Sequence, residues 1–167
     1  MALKADRHEL DTDISFFYNE GTATRGGVVI HDTVGSGAAM DQAGALVKDT
    51  ASAADTAVPV GILLNDVVNL DLTRQHINWH KDEVQKGGKV TVLRRGWVVT
   101  NSIDSVTIGV GDVAYVSQGA TVGNLTNISS PVGSGNLAIG RFLSALDEDG
   151  YAKVEVNLPN FGANSAS

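Results

Sequence analysis

His76 and His80 stand four residues apart, a spacing that sets two imidazoles on one helix face and suits a metal. No Glu follows His76 in the zinc-protease pattern, and the chain has no cysteine. Asp71 and Asp82 are the carboxylates nearby in sequence, but two solvated or interface histidines are the plainer reading. His8 and His31 are isolated. Asp147-Glu148-Asp149 resembles part of a cation loop, yet the further carboxylates of an EF-hand are missing, so it reads as a solvated turn. Gly109-Val110-Gly111 and Gly133-Ser134-Gly135 are too short to cradle a phosphate. Neither Gly35-Ser36-Gly37 nor Gly133-Ser134-Gly135 has the strand-to-helix context of a nucleophile elbow. No catalytic residue, cofactor or metal is therefore expected, and the chain does not read as an enzyme. What remains is Arg94-Arg95 beside Trp97. Two cations and one ring are weak evidence for nucleic acid. Arg and Trp are enriched at protein–protein contacts, and a plain strand position fits equally well.

These residues lie in the clearest β signal of the sequence, 87–100. Lys89, Thr91 and Arg94 alternate with Val90, Val92 and Leu93 over part of the run, as in a half-buried strand. Gly87-Gly88 predicts a turn before it, and Gly96 a bulge or bend inside it. Residues 26–34 form a short strand entered through glycines, and 43–48 another. Residues 49–56 read as a loop or a weak helical turn. Val58 to Val68 is a long branched apolar run, expected to be a buried strand with Pro59 at an edge. Residues 69–86, with Trp79, are the most polar internal region and read as a loop excursion. Gly111-Asp112 predicts a turn before a strand at 113–117. The Gly-, Ser-, Thr- and Asn-rich stretch 118–136 reads as a surface loop or hairpin tip. Strands at 137–146 and 151–158 are joined by a hairpin turn at 147–150.

The expected organisation is an amino-terminal arm at 1–20, one β domain at 21–158 and a frayed tail at 159–167. The arm is charged and ends in Phe16-Phe17-Tyr18. These aromatics serve either as an interface anchor or as part of a first strand packed into the core. Val60-Gly61-Ile62-Leu63-Leu64 echoes Ile139-Gly140-Arg141-Phe142-Leu143. Each precedes a glycine turn and a strand, Lys89–Leu93 and Lys153–Leu158. Either the two halves share a strand–turn–strand element, the first split by 69–86, or the match is coincidence.

Composition narrows the function classes. At 167 residues the chain can bury a core without staples. With 19 glycines against 3 prolines, and aromatics at only 5%, it predicts many tight turns around a Val/Ala/Leu/Ile core. A net charge of −7 opposes a general nucleic-acid binder. No apolar run approaches a membrane span, and the amino terminus lacks the apolar stretch of a secretory signal. The sequons at Asn124 and Asn127 are then chance.

The ordered set Val60-Gly61-Ile62-Leu63, Gly88–Val98, Ile108–Val116, Ile139-Gly140-Arg141-Phe142 and Gly150–Val156 resembles the capsid decoration, or cement, proteins of tailed bacteriophages. The likeness runs over roughly 20–158. It implies an all-β fold: a small β-sandwich or barrel-like domain of short strands with an extended arm and a polar excursion. It also implies a homotrimer on the outside of the virion head, made in the host cytoplasm, clamping the major capsid protein lattice without nucleic acid or membrane. Strand addition by the arm would suit that role. On this reading Phe16, Phe17, Tyr18, Trp79, Arg94, Arg95 and Trp97 are the candidate interface residues. A tail or receptor-binding β module of a virion is the alternative.

Overall fold

The computed structural model describes residues 3–32, 46–49, 59–69, 83–104, 107–117, 123–129 and 138–158. They form twelve strands: β1 Leu3–Asp13, β2 Phe17–Tyr18, β3 Val28–His31, β4 Leu46–Asp49, β5 Pro59–Leu63, β6 Asp66–Val68, β7 Glu83–Gln85, β8 Val92–Thr100, β9 Val113–Val116, β10 Leu125–Thr126, β11 Ala138–Phe142 and β12 Ala152–Asn157. Ten of them make one sheet, and β6 and β7 pair separately in parallel. The large sheet is nearly closed and barrel-like, and the fold is all-β. The β10 end approaches β3, where the Val28 N–H donates to the Gly123 carbonyl at 2.7 Å.

β8 organises the sheet because it has three partners. It pairs with β5 at Val92 and Leu93, with β12 from Arg95 to Thr100, and with β1 along both parts. Near the start of the second part, beside a register shift against β1, stands Gly96, whose φ is 138°. A Cβ there would overlap the His8 carbonyl oxygen, so only glycine lets β1 lie so close.

The strand registers reveal an internal repeat. β3 and β5 meet as Val28↔Ile62, Val29↔Gly61 and Ile30↔Pro59, with an irregularity before the last pair. β9 and β11 meet as Val113↔Arg141, Ala114↔Gly140 and Tyr115↔Ala138, with an irregularity at the same point. β4 lies on β3 as Ile30↔Lys48 and His31↔Val47, and β10 lies on β9 as Tyr115↔Thr126 and Val116↔Leu125. Thr12↔Leu93 and Asp13↔Val92 match Trp97↔Glu155 and Val98↔Val154. Even the corners agree. Leu64 N–H donates to Thr91 O at 2.9 Å, and Leu143 N–H to Lys153 O at 2.7 Å. The Thr91 N–H reaches Asn65 Oδ1 at 2.5 Å, and the Lys153 N–H reaches Ser144 Oγ at 2.8 Å. β8 thus ends the first repeat and begins the second. The echo in the sequence has its structural basis here, with one correction. Thr91, not Lys89, stands where Lys153 does.

Two cores follow. One holds Phe16, Tyr18, Val29, Val60, Leu63, Val67, Val90 and Val92. The other holds Ala114, Ile139, Phe142, Ala152 and Val154, the second-repeat counterparts, together with Val28, Ile62, Leu64 and Leu93 from the first. β3 and β5 therefore separate two apolar compartments. That is why Val28-Val29-Ile30 and Val60–Leu64 are buried on both faces and read as continuous apolar runs. β12 has solvent on one side and alternates, with Ala152, Val154 and Val156 buried and Glu155 and Asn157 exposed. The parallel β6–β7 pair closes the first core from outside through Val67 and Val84. The second core needs no such insertion, because the first repeat covers it.

Three sequence expectations change. The run 58–68 is not one strand: it breaks at Leu64-Asn65, where the Asn65 side chain substitutes for a backbone acceptor. The stretch 118–136 contains β10, whose two residues are held by β9 and by Ser102 and Asp104. The strand expected at 137–146 ends at Phe142, where the chain turns to bond Lys153. Residues 49–56, apart from Asp49 at the end of β4, lie outside the described residues.

Candidate functional site

β1, β8 and β12 present one outward face. β8 is extended because Val92, Leu93, Val98 and Thr100 are buried along it, and branched side chains suit a pleated surface. β12 docks through its alternating valines. β1 has neither signal: of its eleven residues only Leu3 is buried. It is a strand because its backbone pairs with β8 from Leu3↔Thr100 to Asp13↔Val92. Among the described residues it pairs with no other strand.

The register aligns His8, Trp97 and Glu155 across the three strands. Trp97 is half-buried. Lys153 Nζ sits 3.4 Å from its ring centroid, and the His8 ring lies 6.2 Å away at 54°. The cation over the ring face holds the indole in place. Arg95 is exposed beside it. Arg94 is half-buried, 3.7 Å from Asp13 Oδ2. Burial acts to raise the Asp13 pKa, but the amide and hydroxyl of Ser15, at 2.8 and 2.6 Å, outweigh it with help from Arg94, and the net shift is downward. Lys4 ties the far end of β1 to the 147–150 turn. Its ammonium donates to Asp147 Oδ2 at 2.8 Å and lies 4.1 Å from the Tyr151 ring centroid.

The sequence-derived candidates separate here. Arg95 and Trp97 share this face, whereas Arg94, next to Arg95 along β8, turns to Asp13 and acts on His31. Phe17 is half-buried elsewhere, with Lys89 Nζ 5.4 Å from its ring centroid. Phe16 and Tyr18 are 5% and 1% exposed in the first core. They offer no surface in this fold, because a two-residue strand between β4 and the 88–90 segment turns them inward. Trp79, His76, His80, Asp71 and Asp82 lie outside the described residues. His8, which reads as isolated in the sequence, completes the face with Lys153 and Glu155. Only the register brings them to Trp97.

A polar cavity of about 590 Å³ lies between 22–27, β6, Glu83, Ser102 and Gly123-Asn124. Its carboxylates are Asp66 and Glu83, and Asp66 is engaged by the Arg25 N–H at 2.8 Å. Among the described residues no histidine or lysine lines it. Among the described residues no three carboxylate or imidazole groups come together as metal ligands. No described helix could cross a membrane.

Comparison with curated proteins gives no match. Comparison with protein families matches residues 9–157 to the structural cement protein family (E217 gp24/Pam3 gp6). The match spans both repeats and the shared β8, so the chain belongs to the phage structural cement proteins.

Proposed function

We propose that the protein decorates the outer face of the assembled phage head and clamps neighbouring major capsid proteins as a homotrimer. Made in the host cytoplasm, it joins the capsid from outside. One observation carries this reading. β1 is a long edge strand held by backbone bonds, one buried leucine and an ion pair near each end. Such a strand can add to a foreign sheet, or accept a foreign strand, through main-chain hydrogen bonds that need no sharp side-chain motif. The adjoining Trp97, Arg95 and Lys153 supply aromatic and cationic contacts of the kind that dominate interface energy. The net charge of −7 keeps the free protein from associating indiscriminately.

Removal of residues 1–8 tests it. Phe16 and Tyr18 stay in place, so the truncated protein should fold with a modestly lowered melting temperature. Its binding to expanded heads should fall by at least about tenfold, a loss of about 1.4 kcal/mol. Equal binding of the truncated and full chains would reject β1 as the clamp.

A further inference from the structure

Five large hydrophobic side chains are exposed among the described residues: Leu10, Ile14, Val110, Ile128 and Leu143. They fall into two groups, one on each repeat. The second-repeat group surrounds a rigid corner. Gly111 N–H donates to Phe142 O at 2.8 Å, between Val110 and Leu143. Asp112 accepts from the Gly109 N–H at 2.7 Å and from Asn127 Nδ2 at 2.8 Å, which sets Ile128 beside the same turn. Arg141 Nη1 donates to Gly111 O at 2.9 Å and places a cation at the rim.

The repeat shows what kind of surface covers such a corner. Its counterpart in the first repeat is formed by Gly26, Gly27, Leu63 and Leu64, with the same two backbone bonds. There Leu64 is 3% exposed, because the second repeat packs over it. Leu143, in the matching place, is 40% exposed, and Val110 is 73% exposed. No other part of the described chain covers them.

The first-repeat group lies on β1 and the residue after it. Glu9 pairs with Gly96 and Asp11 with Arg95, so Leu10 is the extra residue of a bulge. A bulge re-aims a side chain, and here it directs a leucine outward, 67% exposed. Ile14 follows at 64%, and exposed Asp11 adds a negative charge to this rim.

We infer that these two patches are the halves of one contact between copies of this chain, Val110, Ile128 and Leu143 of one copy meeting Leu10 and Ile14 of the next, with Arg141 facing Asp11. Such a head-to-tail contact generates a ring when its rotation closes, as the proposed trimer requires. Opposite rim charges select the orientation. The inference rests on the homotrimer in the proposed function but not on capsid binding, and the two fail separately.

The test is the mass of the full chain by light scattering, with Val110→Asp and Leu10→Asp as single variants. The wild type should run as a closed oligomer, and each variant should fall to monomer mass with its melting temperature nearly unchanged. If an aspartate variant unfolds, Val110→Ser and Leu10→Ser replace it with the same expectation. A monomeric wild type, or either variant keeping the wild-type mass, overturns the inference. The absence of cysteine allows a check on pairing. Oxidised Val110→Cys/Leu10→Cys should link copies, whereas Val110→Cys alone linking copies would show a same-patch contact and reject the pairing. If the ring forms but heads are not bound, the proposed function fails and this contact stands.

Discussion

The two repeats share a backbone and differ in what their outer faces touch. In the first, Ile62 and Leu93 are fully buried against the second. In the second, the same places hold Arg141 and Glu155, both exposed. One register therefore carries a core face in one copy and a solvated face in the other. The side-chain set was chosen by the neighbour, while the glycine pattern was chosen by the strand geometry. Gly61 and Gly140 are common to both copies because a Cβ at either would overlap a partner carbonyl oxygen, that of Leu93 or of Glu155. Terminal repeats of stacked proteins turn polar outward for the same reason.

The sharpest way to break this comparison is to exchange the faces. Ile62→Arg buries an unpaired cation between the repeats and should cost more than about 4 kcal/mol, or prevent folding. Arg141→Ile should change stability by no more than about 0.5 kcal/mol. Urea denaturation reads both, and similar effects would show that the first repeat's face is not a core. Next in size are the glycines. Gly61→Ala and Gly140→Ala should each cost about 2–3 kcal/mol through overpacking. Tolerance of one and not the other would break the equivalence of the repeats.

The smallest effect concerns the latch of β1 on the second repeat. The hydrogen bond from Lys4, with the Tyr151 amide second, holds the Asp147 carboxyl below its ordinary value of 3.8. A carboxylate with a depressed folded pKa stabilises fully above the unfolded value and loses that contribution as the pH falls below it. Wild type should therefore melt slightly above Lys4→Met at neutral pH, and the gap should close on acidification below about pH 3.8. A pH-independent gap would mean that the lysine acts through packing on Tyr151 alone.

Much of the wall was legible in the sequence. The alternation in Lys153–Leu158 and the unbroken Val60–Leu64 run announce one wetted and one doubly buried strand. The turn at Asp147–Gly150 is read from residue chemistry, and the Asp147 carboxylate accepts from the Asp149 and Tyr151 amides. β1 and β10 were not legible as strands. Leu125-Thr126 is too short for a period, and 3–13 carries charges at most positions, so both depend on backbone bonds to distant partners. For the candidate site, Arg95 and Trp97 could be named from residue type. Phe16 and Tyr18 could not be sorted from them, since aromatics supply energy to cores and to interfaces alike.

The shared strand has a consequence for the order in which the molecule can be made. β1 is synthesised well before its partner strand β8, which extends to Thr100. The first core also waits for Val90 and Val92. The first core and the β1 pairing cannot close until β8 is synthesised, and once they close, Val28, Ile62 and Leu93 face solvent until the second repeat arrives. The nascent first half is thus an adhesive intermediate, and the chain commits to a complete fold only near its last strand.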